Sequence, residues 1–346
     1  MAKMRQLWYT KDIEKGQSGK FGMEMREVDV PAPGPGQVLI KTAYAAICAT
    51  DIHMVTMHVL GAKPPMPLGH EASGTVVGMG EGAEKSGLAL GDKVTFFPQQ
   101  PCGQCEWCKS GMGQYCPNSP AISAFADYIV ADTVGVYKLP ADADLKAYSI
   151  VEPTTCVVRA MDIAKIKAGD NVAIAGIGGI GSIILNQIIL SGAANITVIE
   201  PSVNKHQMAF EMGAKYCIDP FHEDVAARAM SITDNKGFDV VFEASGAPGG
   251  AQTPLKILAR CGKAVYFAVF PPAYEMPLNL YDLYMKEGTI HTVFTSPDLV
   301  PRAINSIPRL QTDKIIGKVI PFESWEEGVD AFDSKKYAKV VYKFSD

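Results

Sequence analysis

The chain has 346 residues, 47% hydrophobic and 20% charged, a globular balance long enough for two domains. A net charge of −5 excludes the cationic footprint of a nucleic-acid binder, and no basic run points to a membrane surface. The start, MAKMRQLWYTKDIEKG, lacks the apolar core of a secretory signal, and eight cysteines without an export signal fit a reducing cytoplasm.

The first part of the chain reads as β-rich. MRQLWYT, FGMEMREVDVP, QVLIKTAYAAI and ASGTVVGMG are short runs of β-formers bounded by Gly and Pro, with PAPGPG at 31–36 as a turn cluster. Cys48-Ala49-Thr50-Asp51-Ile52-His53 reads as a loop after the third run, and His70-Glu71 follows 22 positions after Cys48. Taken singly, these residues are ordinary core or surface groups. Together with Glu152 they offer a thiolate, an imidazole and two carboxylates, the donor set of a catalytic zinc with one open position.

Next comes PCGQCEWCKSGMGQYC, a C-x2-C-x2-C-x7-C run at Cys102, Cys105, Cys108 and Cys116. Four thiols in 15 residues favour one tetrahedral zinc, with disulfides, a reactive thiol or an iron–sulfur site as the alternatives. Four sulfurs leave no open coordination position, so such an ion would hold a lobe in place and do no chemistry.

From about residue 153 the rhythm changes to alternating strand and helix: NVAIAG, IGSIILNQIILSG, NITVIE, PSVNKHQMAFEMGA and KYCID, then FDVVFEAS, TPLKILARCG and KAVYFAV. This predicts a doubly wound parallel sheet. Asn171–Ile199 is 29 residues without an Asp, Glu, Lys or Arg, but the glycines inside it argue for strand, turn and helix rather than a membrane span. Those glycines, Gly176, Gly178, Gly179 and Gly181, stand between a strand and a helix, the context in which backbone N–H groups take a pyrophosphate. Glu200 ends the next strand, where a carboxylate accepts both ribose hydroxyls and repels a 2′-phosphate; that points to NAD, with Lys205 as a nearby cation that would tolerate the phosphate. The C-terminal part reads as two amphipathic helices and a closing strand.

Taken in order, Cys48, Gly69-His70-Glu71, the four-cysteine run, Glu152-Pro153 and the glycine loop resemble the medium-chain zinc-dependent alcohol dehydrogenases over essentially the whole chain. Glu152-Pro153, 24 residues before Gly176, is similar to the polyol and butanediol dehydrogenase branch. The resemblance implies an α/β fold: a GroES-like β-barrel catalytic domain from 1–152 and 296–346, with the zinc lobe at about 98–118, plus a Rossmann domain at 153–295. It implies two zinc ions per chain. Cys48, His70, Glu71 and Glu152 would hold the catalytic one, and Cys102, Cys105, Cys108 and Cys116 the structural one. Thr50 would hydrogen-bond the substrate oxygen, His53 would end a proton relay, and Asp51 would support a ligand. Glu71 and Glu152 are shared between ligation and catalysis. NAD would touch Gly176, Gly178, Gly179, Ile180, Gly181, Glu200, Lys205, Ala244, Val269, Phe294 and Thr295. The expected partners are a small alcohol or polyol and further copies of the chain, as a dimer or tetramer, with no nucleic acid and no membrane. Val293-Phe294-Thr295 lacks the arginine that polyol dehydrogenases commonly carry there, which leaves room for a smaller or less polar alcohol. Val55, Met57, Phe125 and Thr295 are expected to shape the pocket. Cys156 is expected to be buried packing. A zinc-free reductase of the same fold would lack both the lobe and the Cys48/His70 pair.

Overall fold

The computed structural model describes residues 2–11, 22–119, 122–295 and 297–345. Its strands are β1 (Lys3–Tyr9), β2 (Met23–Asp29), β3 (Gln37–Ala46), β4 (Met66–Pro67), β5 (Glu71–Met79), β6 (Lys93–Phe96), β7 (Tyr128–Asp132), β8 (Val136–Lys138), β9 (Asn171–Ala175), β10 (Asn195–Ile199), β11 (Tyr216–Ile218), β12 (Phe238–Glu243), β13 (Leu258–Tyr266), β14 (Thr289–Thr292), β15 (Ile316–Pro321) and β16 (Lys339–Lys343). Its α-helices are α1 (Ala49–Met57), α2 (Glu106–Lys109), α3 (Leu145–Tyr148), α4 (Val151–Ala164), α5 (Gly179–Ser191), α6 (Val203–Met212), α7 (Val225–Ile232), α8 (Thr253–Lys256), α9 (Leu280–Lys286), α10 (Val300–Ser306), α11 (Thr312–Ile315) and α12 (Trp325–Asp333).

The β-rich part forms a mixed sheet in the order β15-β16-β3-β5-β6-β8, with β7 also paired to β3, and a small β2-β1-β4 sheet. Alternating apolar residues explain it: Val38, Ile40 and Ala45 of β3 and Val76 of β5 point into one core with Phe125, Phe322 and Tyr342. The second sheet runs β11-β10-β9-β12-β13-β14, every pair parallel. Its central strands are buried on both faces, which is why β9 and β10 carry no charge and why the uncharged stretch is strand, helix, strand. Among the described residues no helix is long and apolar enough to cross a membrane.

Three local expectations differ from the structure. Residues 49–57 are helical, not a loop, because Asp51 at the third helical position turns back and accepts from the Cys48 backbone N–H at 3.0 Å, closing the N-terminus. TPLKILARCG holds only the short α8, since its second half, from Leu258 on, joins β13, with Leu258 paired to Phe238 of β12. The C-terminal part contains β14 and β15 as well as the closing strand β16.

Register puts the site at one end of the mixed sheet. Ala46, the last residue of β3, faces Glu71, the first of β5, and Val341 of β16 faces the same Ala46. Cys48, His70, Glu71 and Lys339 therefore meet just beyond the strand ends. α4 begins at the same place and carries Glu152 in its first turn.

Candidate active site

A sulfur of Cys48, a ring nitrogen of His70 and a carboxylate oxygen of Glu71 lie within 4.8 Å of one another. Asp51 holds this cluster together. Its Oδ2 accepts from Cys48 N, while its Oδ1 accepts from Gly69 N at 3.1 Å and lies 3.0 Å from His70 Nδ1. With Nδ1–H given to the aspartate, Nε2 keeps its lone pair for an ion. Burial opposes a charge on His70, but Asp51 and Cys48 outweigh it and hold the imidazole well above its ordinary pKa, so without an ion a proton sits on Nε2 and a metal would have to displace it.

Glu71 is fully buried and faces a cation the sequence gave no local sign of, because Lys339 lies 268 positions away. Its Oε1 accepts from Lys339 Nζ at 2.7 Å. Its Oε2 lies 2.7 Å from the same ammonium, an ion pair without an aligned hydrogen bond. A buried carboxylate beside a thiol and an imidazole is donor chemistry a zinc ion takes. Glu152 stands beside this trio rather than in it. Burial, offset by His70, pushes its carboxyl up to about 7. Cys156 is not plain buried packing. It is half-buried, its Sγ lies 3.8 Å from Glu152 Oε1, and it faces the same cluster.

Thr50 and His53, three residues apart on α1, share a helix face. His53 Nδ1 is buried without a hydrogen-bond partner in the protein. Burial first, and Lys335 second, hold this imidazole below its ordinary pKa, in the neutral form. Val55 and Phe125 are in the barrel core, Phe125 edge-on to Tyr342, so neither lines an open pocket.

In the cysteine lobe, Sγ–Sγ separations are 3.5 Å (Cys105–Cys108), 3.8 Å (Cys105–Cys116) and 4.0 Å (Cys102–Cys108). A disulfide needs about 2 Å. Four sulfurs about 2.3 Å from a central zinc would lie about 3.8 Å apart, so the spacing is that of a tetrahedron around an ion. Backbone N–H groups of Gln104 and Cys105 pull the Cys102 thiol down to about 6, whereas burial and Cys105 push the Cys108 thiol up to about 12, so the four sulfurs share charge unevenly without an ion.

The glycine loop lies between β9 and α5. Gly176 has φ +91°, and a side chain there would meet Ser245; a side chain on Gly181 would strike the Gly176 carbonyl. A Cβ on Gly178 would meet nothing within 4 Å, which leaves open room over the α5 N-terminus, where backbone N–H groups and the helix dipole receive a phosphate. Ile180 follows in the first turn of α5. Lys339 also reaches this loop: its side chain and the Ala338 carbonyl press against Gly179. Glu200 is 5% exposed. It accepts from Ile177 N at 3.0 Å and Ser202 N at 3.1 Å, and Lys205 Nζ is 3.8 Å from Oε1. Ala244, Val269, Phe294 and Thr295 lie just beyond the carboxyl ends of β12, β13 and β14, along the edge where open parallel sheets bind their ligands.

Comparison with known proteins places these features in one lineage. The alcohol dehydrogenase GroES-like domain matches residues 34–141, and the zinc-binding dehydrogenase domain matches residues 179–308. The chain belongs to the medium-chain zinc-dependent alcohol dehydrogenase family. Within that family it is 34% identical to an L-threonine 3-dehydrogenase of Pyrococcus furiosus, over 93% of this chain and 95% of the relative. It is 32% identical to a sorbitol dehydrogenase of Halalkalibacterium halodurans, over 81% and 82%. A solved zinc-binding dehydrogenase from Clostridium scindens superposes with a TM-score of 0.92 at 35% identity, over 98% and 99% of the two chains. Another from Sinorhizobium meliloti, bound to NADP, gives 0.88 at 26%, over 99% and 100%. A zinc-type oxidoreductase acting on a small molecule is what family membership supports.

Proposed function

We propose that this dehydrogenase moves a hydride between NAD(H) and a secondary alcohol or small polyol and its ketone, in a cleft between a catalytic domain (1–152 and 296–346) and a nucleotide domain (153–295). One observation carries the reading: Cys48, His70 and Glu71 converge on one point, and Lys339 connects that point to the glycine loop. Cys48, His70 and Glu71 would hold a zinc ion, with Glu152 in reserve, and Cys102, Cys105, Cys108 and Cys116 a second. The first ion supplies Lewis acidity to the substrate oxygen, and the dinucleotide supplies the hydride acceptor.

The remaining work falls to side chains. Thr50 orients the substrate hydroxyl and takes its proton while releasing its own hydroxyl proton, and His53, neutral and with an unsatisfied buried nitrogen, takes the released proton outward. Glu200 receives the ribose hydroxyls and disfavours a 2′-phosphate. Lys205, within 3.8 Å of Glu200, supports a second reading in which NADP is also used and small ketones or aldehydes are reduced.

A panel of C3–C6 diols, tetritols, pentitols, hexitols and L-threonine, assayed with NAD and NADP, tests substrate and cofactor together. Cys48→Ala is expected to abolish turnover, to reduce bound metal from two ions per chain to one, and to leave NADH binding within a few-fold of wild type. Full activity in that variant would remove the cluster from the chemistry.

A further inference from the structure

The cysteine lobe touches the nucleotide-binding half of the molecule. Trp107, between Cys105 and Cys108, lies 5.5 Å from the ring of Tyr115, which immediately precedes Cys116. The other side of Tyr115 stacks on Phe294, 5.6 Å between centroids and 20° from parallel. The next residue, Thr295, donates its hydroxyl to Gln99 Oε1 at 2.9 Å, just before the lobe. Phe294 and Thr295 lie two and three residues beyond β14, at the edge of the sheet where the dinucleotide is expected. Thr295 has φ +35°, a backbone conformation a β-branched residue adopts only when its surroundings hold it. Those surroundings are the lobe.

The lobe in turn depends on its sulfurs. Apart from the short α2 it is built from tight turns: Met112 N to Trp107 O at 2.8 Å, Tyr115 N to Met112 O at 3.0 Å and Cys116 N to Gly113 O at 3.0 Å. It contributes little to the apolar cores, since Trp107, Met112 and Tyr115 stand outside them and are exposed. A loop of this kind keeps one shape only while something ties its four thiols together.

We propose that Tyr115 is a positioning residue: it passes the order of the four-cysteine lobe to segment 293–295 and so sets how tightly the enzyme binds its nicotinamide cofactor. The inference rests on the reading of Phe294 and Thr295 as cofactor-facing. Coupling of this kind is reciprocal, so bound cofactor must steady the lobe by the same factor by which the lobe tightens the cofactor.

The test uses the purified full-length enzyme with NADH as the probe. Tyr115→Ala should weaken NADH binding about three- to tenfold, the range expected for one aromatic pair, while metal analysis still finds two ions per chain. Tyr115→Phe keeps the ring and should bind within twofold of wild type. NADH should also slow extraction of metal from the lobe by a chelator, followed by the emission of Trp107 as the difference between wild type and Trp107→Phe. Tyr115→Ala should lose that protection. Unchanged NADH affinity in Tyr115→Ala, or a loss in Tyr115→Phe as large as in Tyr115→Ala, overturns the proposal. Wild-type protein that binds neither NADH nor NADPH overturns the functional reading itself, a distinct result.

Discussion

At the scale of single residues, Asp51 is the most consequential group that is not itself a metal donor. Its carboxylate fixes the Cys48 backbone, the Gly69 backbone and the His70 ring at once. Asp51→Asn keeps the size but turns an amide N–H₂ toward His70 Nδ1. That favours the tautomer with a proton on Nε2, the nitrogen an ion requires. We expect a 10- to 100-fold loss of zinc affinity at this centre, the usual scale for a partner of a ligating histidine, read by competition with a coloured chelator. Equal affinity would leave Asp51 a purely structural cap. His53 offers a test in pH. Burial first, then the charge of Lys335, hold its pKa below the ordinary value. Lys335→Gln removes the cation, so the pKa rises and less neutral base is present at any given pH. The acidic limb of the turnover profile should move to higher pH, and His53→Ala should lack that limb. A profile that does not move in Lys335→Gln takes the imidazole out of the proton path.

At the scale of elements, two neighbouring glycines separate folding from binding. Gly181→Ala drives a methyl into the Gly176 carbonyl, and α5 must shift away from β9. Overpacking of this kind costs about 1–3 kcal/mol, with Tm falling about 2–4 °C per kcal/mol in a chain of this size. Gly178→Ala meets open space, so melting should barely change, but the methyl occupies the room left for a pyrophosphate and NADH affinity should fall. Calorimetry and NADH titration on both variants check this; matching Tm losses would show that Gly178 serves packing alone. The sequence was legible here because spacing encodes function locally. Glycines between a strand and a helix, and cysteines with two residues between them, announce their geometry within one turn of chain. The helix at 49–57 was missed because its N-terminal closure comes from Asp51, which also serves His70, and short caps of this kind resemble loop residues. Lys339 was missed for a different reason: β16 brings it to Glu71 only through register with β3, and nothing within ten residues of it signals a buried cation.

At the scale of the whole molecule, the parallel sheet ends on β14, and among the described residues no strand pairs with its outer edge. Open edges invite pairing unless charge, proline or a covering element blocks them. Here α9, beside the edge, adds apolar surface instead: Leu280 is 69% exposed, Tyr281 69% and Tyr284 79%. Three large exposed apolar side chains on one short helix near an unpaired strand make self-association the expected outcome. The arrangement that satisfies both features with closed symmetry is a twofold axis across β14, running two copies antiparallel and merging the sheets while the α9 faces cover each other. The expected species is therefore at least a dimer, twice 37.2 kDa, by light scattering at micromolar concentration. Leu280→Asp with Tyr284→Glu places charge on that face without touching either core, so the monomer should stay folded, with unchanged circular dichroism, while the mass falls to 37.2 kDa. Phe294 lies two residues beyond β14, so pairing of that strand would also brace the segment that stacks on Tyr115. The dissociated variant should then bind NADH more weakly as well as run smaller. A wild-type chain that is monomeric at these concentrations would mean that the apolar face of α9 meets something other than its own copy.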